Sequence, residues 1–303
     1  MYKRLTECRS NEVAAMDKKN TIVVLPVAAH EQHGKHLPVG TDTIILEGVL
    51  ESFGRRVPAD MDVLVLPVVA VGKSNEHMGF CGTLTYSMNT LAAIVRDIAK
   101  SVAHHGFEKL VLLNSHGGNT DVLNACARDL RDDFGVRPFV IDWWFTDFWA
   151  DILKDIQESP RDGVFHACEL ETSLVMALRP DLVDEKELVA TFPPEQMRRN
   201  KYVTVFGPVN MGWVTKDITA TGVIGDATKG TPEKGEKLLA FAGEKLVEVF
   251  REIQAIPALE AKGVQNSRKQ ASFRSSTMKC CGRMEGFFCR IVQSVKECGI
   301  FPV

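Results

Sequence analysis

The residues that could do chemistry together lie in three short segments. In the first, His30-Glu31-Gln32-His33-Gly34-Lys35-His36-Leu37-Pro38-Val39-Gly40-Thr41-Asp42, two carboxylates and an imidazole fall within twelve residues of one another. Glu31 and His33 are two apart, so in an extended loop both side chains point the same way. Carboxylate oxygens with imidazole nitrogen suit Zn, Mn or Fe better than Ca or a thiolate site. A polar loop in which Asp42 only caps a helix does not account for three histidines and a glutamate. The second segment, Asn114-Ser115-His116-Gly117-Gly118-Asn119, sets a histidine before two glycines that permit a tight turn or close backbone approach to a ligand. Alone it reads equally well as a capping turn. In the third, His166-Ala167-Cys168-Glu169-Leu170-Glu171-Thr172-Ser173, helical spacing puts His166 and Glu169 on one face and points Glu171 elsewhere. Acidic residues also gather at helix starts because of the dipole. Cys168 reads as a small buried hydrophobe.

An alternation of strands and helices would position these segments. Residues 21–27, 62–71, 109–113 and, more weakly, 138–141 are short apolar runs suited to strands buried on both faces of a sheet. Residues 43–57, 88–105 and 120–134 lie between them with helical spacing. Residues 167–178 read as a further helix. Residues 232–254 are strongly amphipathic, with Pro232 fitting the first turn. The Gly- and Thr-rich stretch 196–230 reads as loops with short strands. Strand then helix, repeated, predicts an α/β fold with a mainly parallel sheet. The first two segments directly follow strands, where open α/β sheets bind ligands. His77 follows the second strand and could line a substrate pocket. The aromatic stretch 143–149 reads as core or interface packing, or, through Trp143 and Trp144, as the wall of that pocket.

Composition narrows the function classes. The 303 residues are 45% hydrophobic and 25% charged, those of a globular protein with a large core, and the net charge of −3 argues against nucleic acid or an anionic membrane as partner. No apolar run approaches a membrane span. The N-terminal twenty residues lack the apolar core of a secretory signal, so the cysteines are expected to be reduced thiols in a cytoplasmic protein. All eight histidines lie between His30 and His166, whereas four of the eight cysteines crowd into residues 263–303. That stretch has seven Lys/Arg against two Asp/Glu, a net +5, which leaves −8 for the rest. It reads as a basic, Cys-rich tail, partly disordered, after a domain of residues 1–262 that holds all three segments. Cys280, Cys281, Cys289 and Cys298 lack the spacing of a zinc module.

Taken in order, HEQHGKHLPVGTD, NSHGGN and HACELETS, with GFCGTLT at 79–85 and TGVIGDATKGTPEKGE at 221–236, resemble the creatininase (creatinine amidohydrolase) family over roughly residues 3–255. The resemblance implies a three-layer α/β/α sandwich, usually a dinuclear divalent metal centre, and a homohexamer. It implies Glu31, His33 and Asp42 as ligands, Asp42 bridging, with His116 from the second motif. Creatininase proper has a ligand glutamate two residues after that histidine, where this chain has Gly118. Many relatives instead place a glutamate three residues after the third motif's histidine, which implies Glu169 as the fifth ligand. His166 matches a histidine assigned to proton transfer.

The expectation is thus a metal-dependent hydrolase that uses a metal-activated water on a C–N bond of a small molecule, with two Zn, Mn or Fe ions per subunit. The family also contains a formylaminopyrimidine deformylase, a peptidase of a redox-peptide pathway and hydrolases of oxidised inositols, so ring opening of a dehydro-inosose is an alternative. A non-catalytic metal-binding protein on the same scaffold is the rival from outside enzymology, and an open coordination position would separate the two.

Overall fold

The computed structural model describes residues 1–143, 146–160, 163–204 and 209–257. The sequence-based readings of Trp144 and of the tail at 263–303 lie outside the described residues.

The central sheet is built from β1 (Tyr2–Arg4), β2 (Ile22–Val27), β3 (Val63–Val65), β4 (Lys109–Asn114) and β5 (Arg137–Asp142), in the order β1-β3-β2-β4-β5 and all parallel. Parallel neighbours need crossovers, and helices supply them: α1 (Ser10–Ala14) and α2 (Thr41–Gly54), then α3 (Met88–His104) and α4 (Thr120–Phe134). Alternate residues of one strand enter opposite layers. Ile22 and Val24 join a core with α2, whereas Val23, Leu25 and Val27 join a second core with α3 and α4. Burial on both faces is why β2 is an unbroken apolar run.

The chain continues through α5 (Thr146–Ile156), β6 (Val164–His166), α6 (Glu169–Leu178), β7 (Ala190–Thr191) and α7 (Glu195–Arg199). Then come β8 (Val203–Thr204), β9 (Val209–Asn210), α8 (Thr215–Ile218), β10 (Ile224–Asp226) and the long α9 (Pro232–Ala255). Leu170, Leu174 and Val175 of α6 and Leu238, Ala242 and Leu246 of α9 share the core of α2. The outcome is the expected α/β/α sandwich. A small antiparallel sheet, β6-β10-β7, lies beside it in sequence order 6-10-7.

Three differences from the sequence reading have physical causes. The second strand is confined to Val63–Val65 rather than spanning 62–71; Pro67 has no N–H to continue a ladder. The edge strand β1 is a polar tripeptide with no apolar signal, recruited by register with β3. The third motif does not begin inside a helix. His166 ends β6, and α6 starts only at Glu169.

Candidate metal centre

Register brings the first two motifs together. Val27 pairs with Asn114 across β2 and β4, so the loops that follow emerge side by side at the carboxyl edge of the sheet. The third motif arrives from β6 through Ala167, whose backbone is left-handed (φ 53°), a conformation that costs energy for a residue with a Cβ. This kink separates His166 from the helix, so the i,i+3 relation to Glu169 does not apply. Glu169 and Glu171, both in the first turn of α6, face opposite ways.

The result is one buried cluster. His33 Nε2 lies 3.6 Å from Asp42 Oδ1 and 3.4 Å from Glu171 Oε1. His116 Nδ1 lies 3.2 Å from Glu31 Oε2 and 3.8 Å from Asp42 Oδ2. Glu31 Oε1 is 3.5 Å from His77 Nε2 and 3.6 Å from His166 Nδ1. Donor atoms of Glu31, Asp42 and His116 converge within 4.8 Å, as do those of His33, Asp42 and Glu171, and those of Glu31, His33 and His166. Asp42 belongs to the first two groups through different oxygens.

Glu31, His33, Asp42 and His116 therefore meet as the sequence reading expected, but Glu169 does not. Its carboxylate is wholly buried elsewhere, accepting hydrogen bonds from the Glu158 and Ser159 amides and pairing with Lys234 Nζ at 2.5 Å. Glu171, expected to point away, takes its place. His77 is buried between Glu31, Gln32 and Thr215 rather than lining an open pocket. Trp143 packs in the core against Trp149, so it does not wall a pocket either. Sequence reasoning also missed Glu76, whose Oε1 stands 3.6 Å from His116 Nε2. A Cβ at Gly118 would collide with the Lys73 carbonyl and the Glu76 carboxylate. The glycine is required by this close approach, and no larger side chain fits there.

The electrostatics of the cluster suit a bound cation. Among the described residues, the ion-pair partners of Glu31, Asp42 and Glu171 are all histidines. Glu31 Oε2, Asp42 Oδ2, Glu171 Oε2 and His33 Nε2 are buried without a hydrogen-bond partner, a costly arrangement unless something positive is bound. Burial and the neighbouring Glu31 push Asp42 up to about 6. Burial opposes charge on His116, yet Glu31, Asp42 and Glu76 together lift it to about 10. His33 is likewise held well above the usual imidazole value by Glu171 and Asp42 against its burial. His166 is lowered to about 4 by burial and by His33.

The family model described as creatininase, creatinine amidohydrolase, matches residues 6–250. The chain belongs to the creatininase family. It is 33% identical over 228 residues to the mycofactocin precursor peptide peptidase of Mycolicibacterium smegmatis, covering 72% of this chain and 80% of that protein. It is 32% identical over 255 residues to the creatinine amidohydrolase of Pseudomonas putida, covering 76% and 89%. The 3-dehydro-scyllo-inosose hydrolase of Thermotoga maritima is 23% identical over 248 residues, covering 78% of each. Among solved structures, a creatininase variant of Zn–Zn type superposes with a TM-score of 0.66 at 26% identity, covering 84% of this chain and 98% of that one. A manganese creatininase gives 0.62 at 27% identity, covering 84% and 100%. As a member of this creatininase family, the chain is a metal-dependent hydrolase acting on C–N bonds.

A pH and metal experiment follows from the raised histidines. A folded-state pKa of about 10 for His116, above the ordinary 6.5, stabilises the metal-free protein fully below pH 6.5 and loses that contribution as pH rises through 10. His33 acts in the same direction. Both must lose their protons to ligate a cation, so zinc loading at pH 8 should release about two protons per chain. Calorimetric titration in buffers of different ionisation enthalpy reads this directly; loading without proton release would show that both imidazoles are already neutral at that pH.

Proposed function

We propose that this chain hydrolyses a C–N bond, amide or cyclic amide, of a small molecule at a dinuclear divalent centre. The observation that supports it is the sharing of Asp42 between two buried donor groups in which Glu31 Oε2, Asp42 Oδ2 and Glu171 Oε2 make no hydrogen bond. Glu31, Asp42 and His116 would hold one cation, and His33, Asp42 and Glu171 the other; zinc and manganese both suit this donor set. Cations there would supply Lewis acidity to the scissile carbonyl and to water. The chain's own residues do the rest. His166 is kept neutral by burial, and its Nδ1 faces Glu31 Oε1, placed to take a proton from water and pass it to the leaving nitrogen. The closely packed imidazoles of His33 and His77 hold this proton-transfer group against lateral movement, with ring centroids 4.4 and 4.2 Å from that of His166.

The reading extends to a homohexamer of the cytoplasm. Cys8, Cys81, Cys126 and Cys168 are free thiols, which fits a reducing compartment, and among the described residues no helix is long and apolar enough to cross a membrane. Catalysis is assigned to residues 1–262, with the basic tail dispensable. Ring opening of an oxidised inositol remains the second reading, supported by the inosose hydrolase relative. The test is a screen of the zinc- and manganese-loaded protein, full-length and cut after residue 262, against creatinine, formylaminopyrimidine, short peptides and inosose derivatives. Turnover of one amide by both forms is expected. Turnover of the inosose alone would replace C–N by C–C cleavage, and full turnover by metal-stripped protein would sink the reading.

A further inference from the structure

Gln32 lies inside the first motif, between two residues of the cluster, and has no role in the site described so far. Its side chain is buried and every polar atom is engaged. The Gly34 amide donates to Oε1 at 2.9 Å, which fixes which end of the side-chain amide is oxygen. Nε2 lies 3.1 Å from the Gly222 carbonyl, 2.9 Å from His77 Nδ1 and 3.1 Å from His166 Nε2. An amide nitrogen has two hydrogens for these three neighbours.

The backbone carbonyl of Gln32 decides between them. It lies 2.8 Å from His166 Nε2. Two acceptors do not approach so closely, so His166 Nε2 carries a proton and donates to this carbonyl. It therefore cannot accept from the Gln32 amide. The two amide hydrogens then go to Gly222 O and to His77 Nδ1. His77 must accept at Nδ1 and carry its proton on Nε2, which faces Glu31 Oε1 at 3.5 Å. The opposite tautomer, with Nδ1–H donating to Thr215 Oγ1 at 2.9 Å, would set two N–H donors against each other at Gln32; in the assigned tautomer the Thr215 hydroxyl, 3.0 Å from the Glu76 carbonyl, turns to donate to His77 Nδ1 instead.

We infer that Gln32 is a positioning residue that fixes the tautomers of both buried histidines. Through its side chain it makes His77 a donor that holds Glu31 Oε1, leaving Glu31 Oε2 on the His116 side. Through its backbone carbonyl it leaves the His166 Nδ1 lone pair turned into the cluster. Partners behind a ligand that fix its orientation in this way commonly carry 10–100-fold in metal affinity. The clamp also accounts for Gly222 of the TGVIGD stretch. Gly222 has a left-handed backbone (φ 85°), and a Cβ there would collide with Gln32 Oε1. The chain can close over the amide only with glycine at that position.

The consequence for Glu31 rests on the proposed metal centre, but the tautomers do not, and the test separates the two. Long-range proton–nitrogen correlation on histidine-labelled protein, metal-stripped and zinc-loaded, reads the protonated nitrogen of each ring, with His77→Gln assigning the resonance. Wild type should show Nε2–H at both His77 and His166. In Gln32→Leu, His77 should turn to Nδ1–H and donate to Thr215, while His166 stays Nε2–H on the unchanged carbonyl of residue 32. In Thr215→Val, His77 should remain Nε2–H. Zinc affinity, measured by chelator competition, should fall about 10–100-fold in Gln32→Leu and not in Thr215→Val. A wild-type His77 protonated on Nδ1 would overturn the inference, as would an unaltered His77 tautomer in folded Gln32→Leu. Failure of the wild type to bind zinc at all would instead overturn the metal centre, leaving the tautomer result to stand by itself.

Discussion

Asp42→Asn should strip the protein of metal at both positions, whereas Glu171→Gln should cost it one. Asp42 reaches His33 through Oδ1 and His116 through Oδ2, so it is common to both donor groups. Glu171 contacts His33 alone among the cluster histidines. Asparagine keeps the shape and the burial but removes the charge and one acceptor. Two neutral-to-positive histidines would then face each other with too little negative charge to hold two cations. Metal content by elemental analysis should fall from about two ions per chain to below one for Asp42→Asn and to about one for Glu171→Gln. Hydrolysis in Asp42→Asn should fall at least about a thousandfold, roughly 4 kcal/mol of transition-state stabilisation. Equal metal loss in the two variants would mean that Asp42 is not shared. Metal retained in Glu171→Gln but lost in Glu169→Gln would restore the assignment that the family resemblance implies.

That assignment shows where the sequence was legible and where it was not. Residues 120–134 were readable as a helix to the residue, because a surface helix over a sheet must repeat its apolar positions and ends at a glycine, here Gly135 in the left-handed form. The strands of the sheet centre were readable for the converse reason: burial on both faces leaves an unbroken apolar run, with polar residues only at the ends of β4. Glu31, His33 and Asp42 were readable because they crowd into one segment between a recognisable strand and the helix after it, and His116 because it follows the next site strand directly. Glu171 was not, because choosing between two glutamates two residues apart depends on where the helix begins, and that depends on the left-handed Ala167, to which composition gives no clue. Trp143 misled for a related reason. Aromatic clusters pack cores and wall pockets alike, and only the tertiary contacts with Trp149 and the α9 side of the core distinguish them. Gln32 reads as an ordinary polar loop residue until Gly222, far away in sequence, is seen to close on it.

Lys234→Met should lower stability by about 3 kcal/mol without removing metal, since the ion pair it breaks is buried but lies outside the cluster. Lys234, in the first turn of α9, donates to Glu169 Oε1 at 2.5 Å, to Glu158 Oε1 at 2.8 Å and to the Lys229 carbonyl at 2.9 Å. It thereby ties α9 to the start of α6 and to the loop before β6. Methionine keeps the packing of the aliphatic stem but leaves Glu169 as an uncompensated buried carboxylate. Breaking one side of such a pair costs about 3–5 kcal/mol; the Glu158 and Ser159 donors that remain hold the loss to the lower end. Replacing both partners, Glu169→Gln with Lys234→Met, should cost less than the lysine change alone, because no charge is then stranded. The pH dependence has a definite sign. Glu169 has its pKa lowered in the native state: burial acts against this, but Lys234 and the Ser159 donors outweigh it. Its contribution is therefore present above pH 4.5 and is lost as pH falls below that value. The gap between wild type and Lys234→Met, measured by denaturant melts of chelator-treated protein, should narrow on acidification. A variant as stable as wild type would show that the pair contributes nothing. One that keeps its stability and loses a metal ion would return Glu169 to the site.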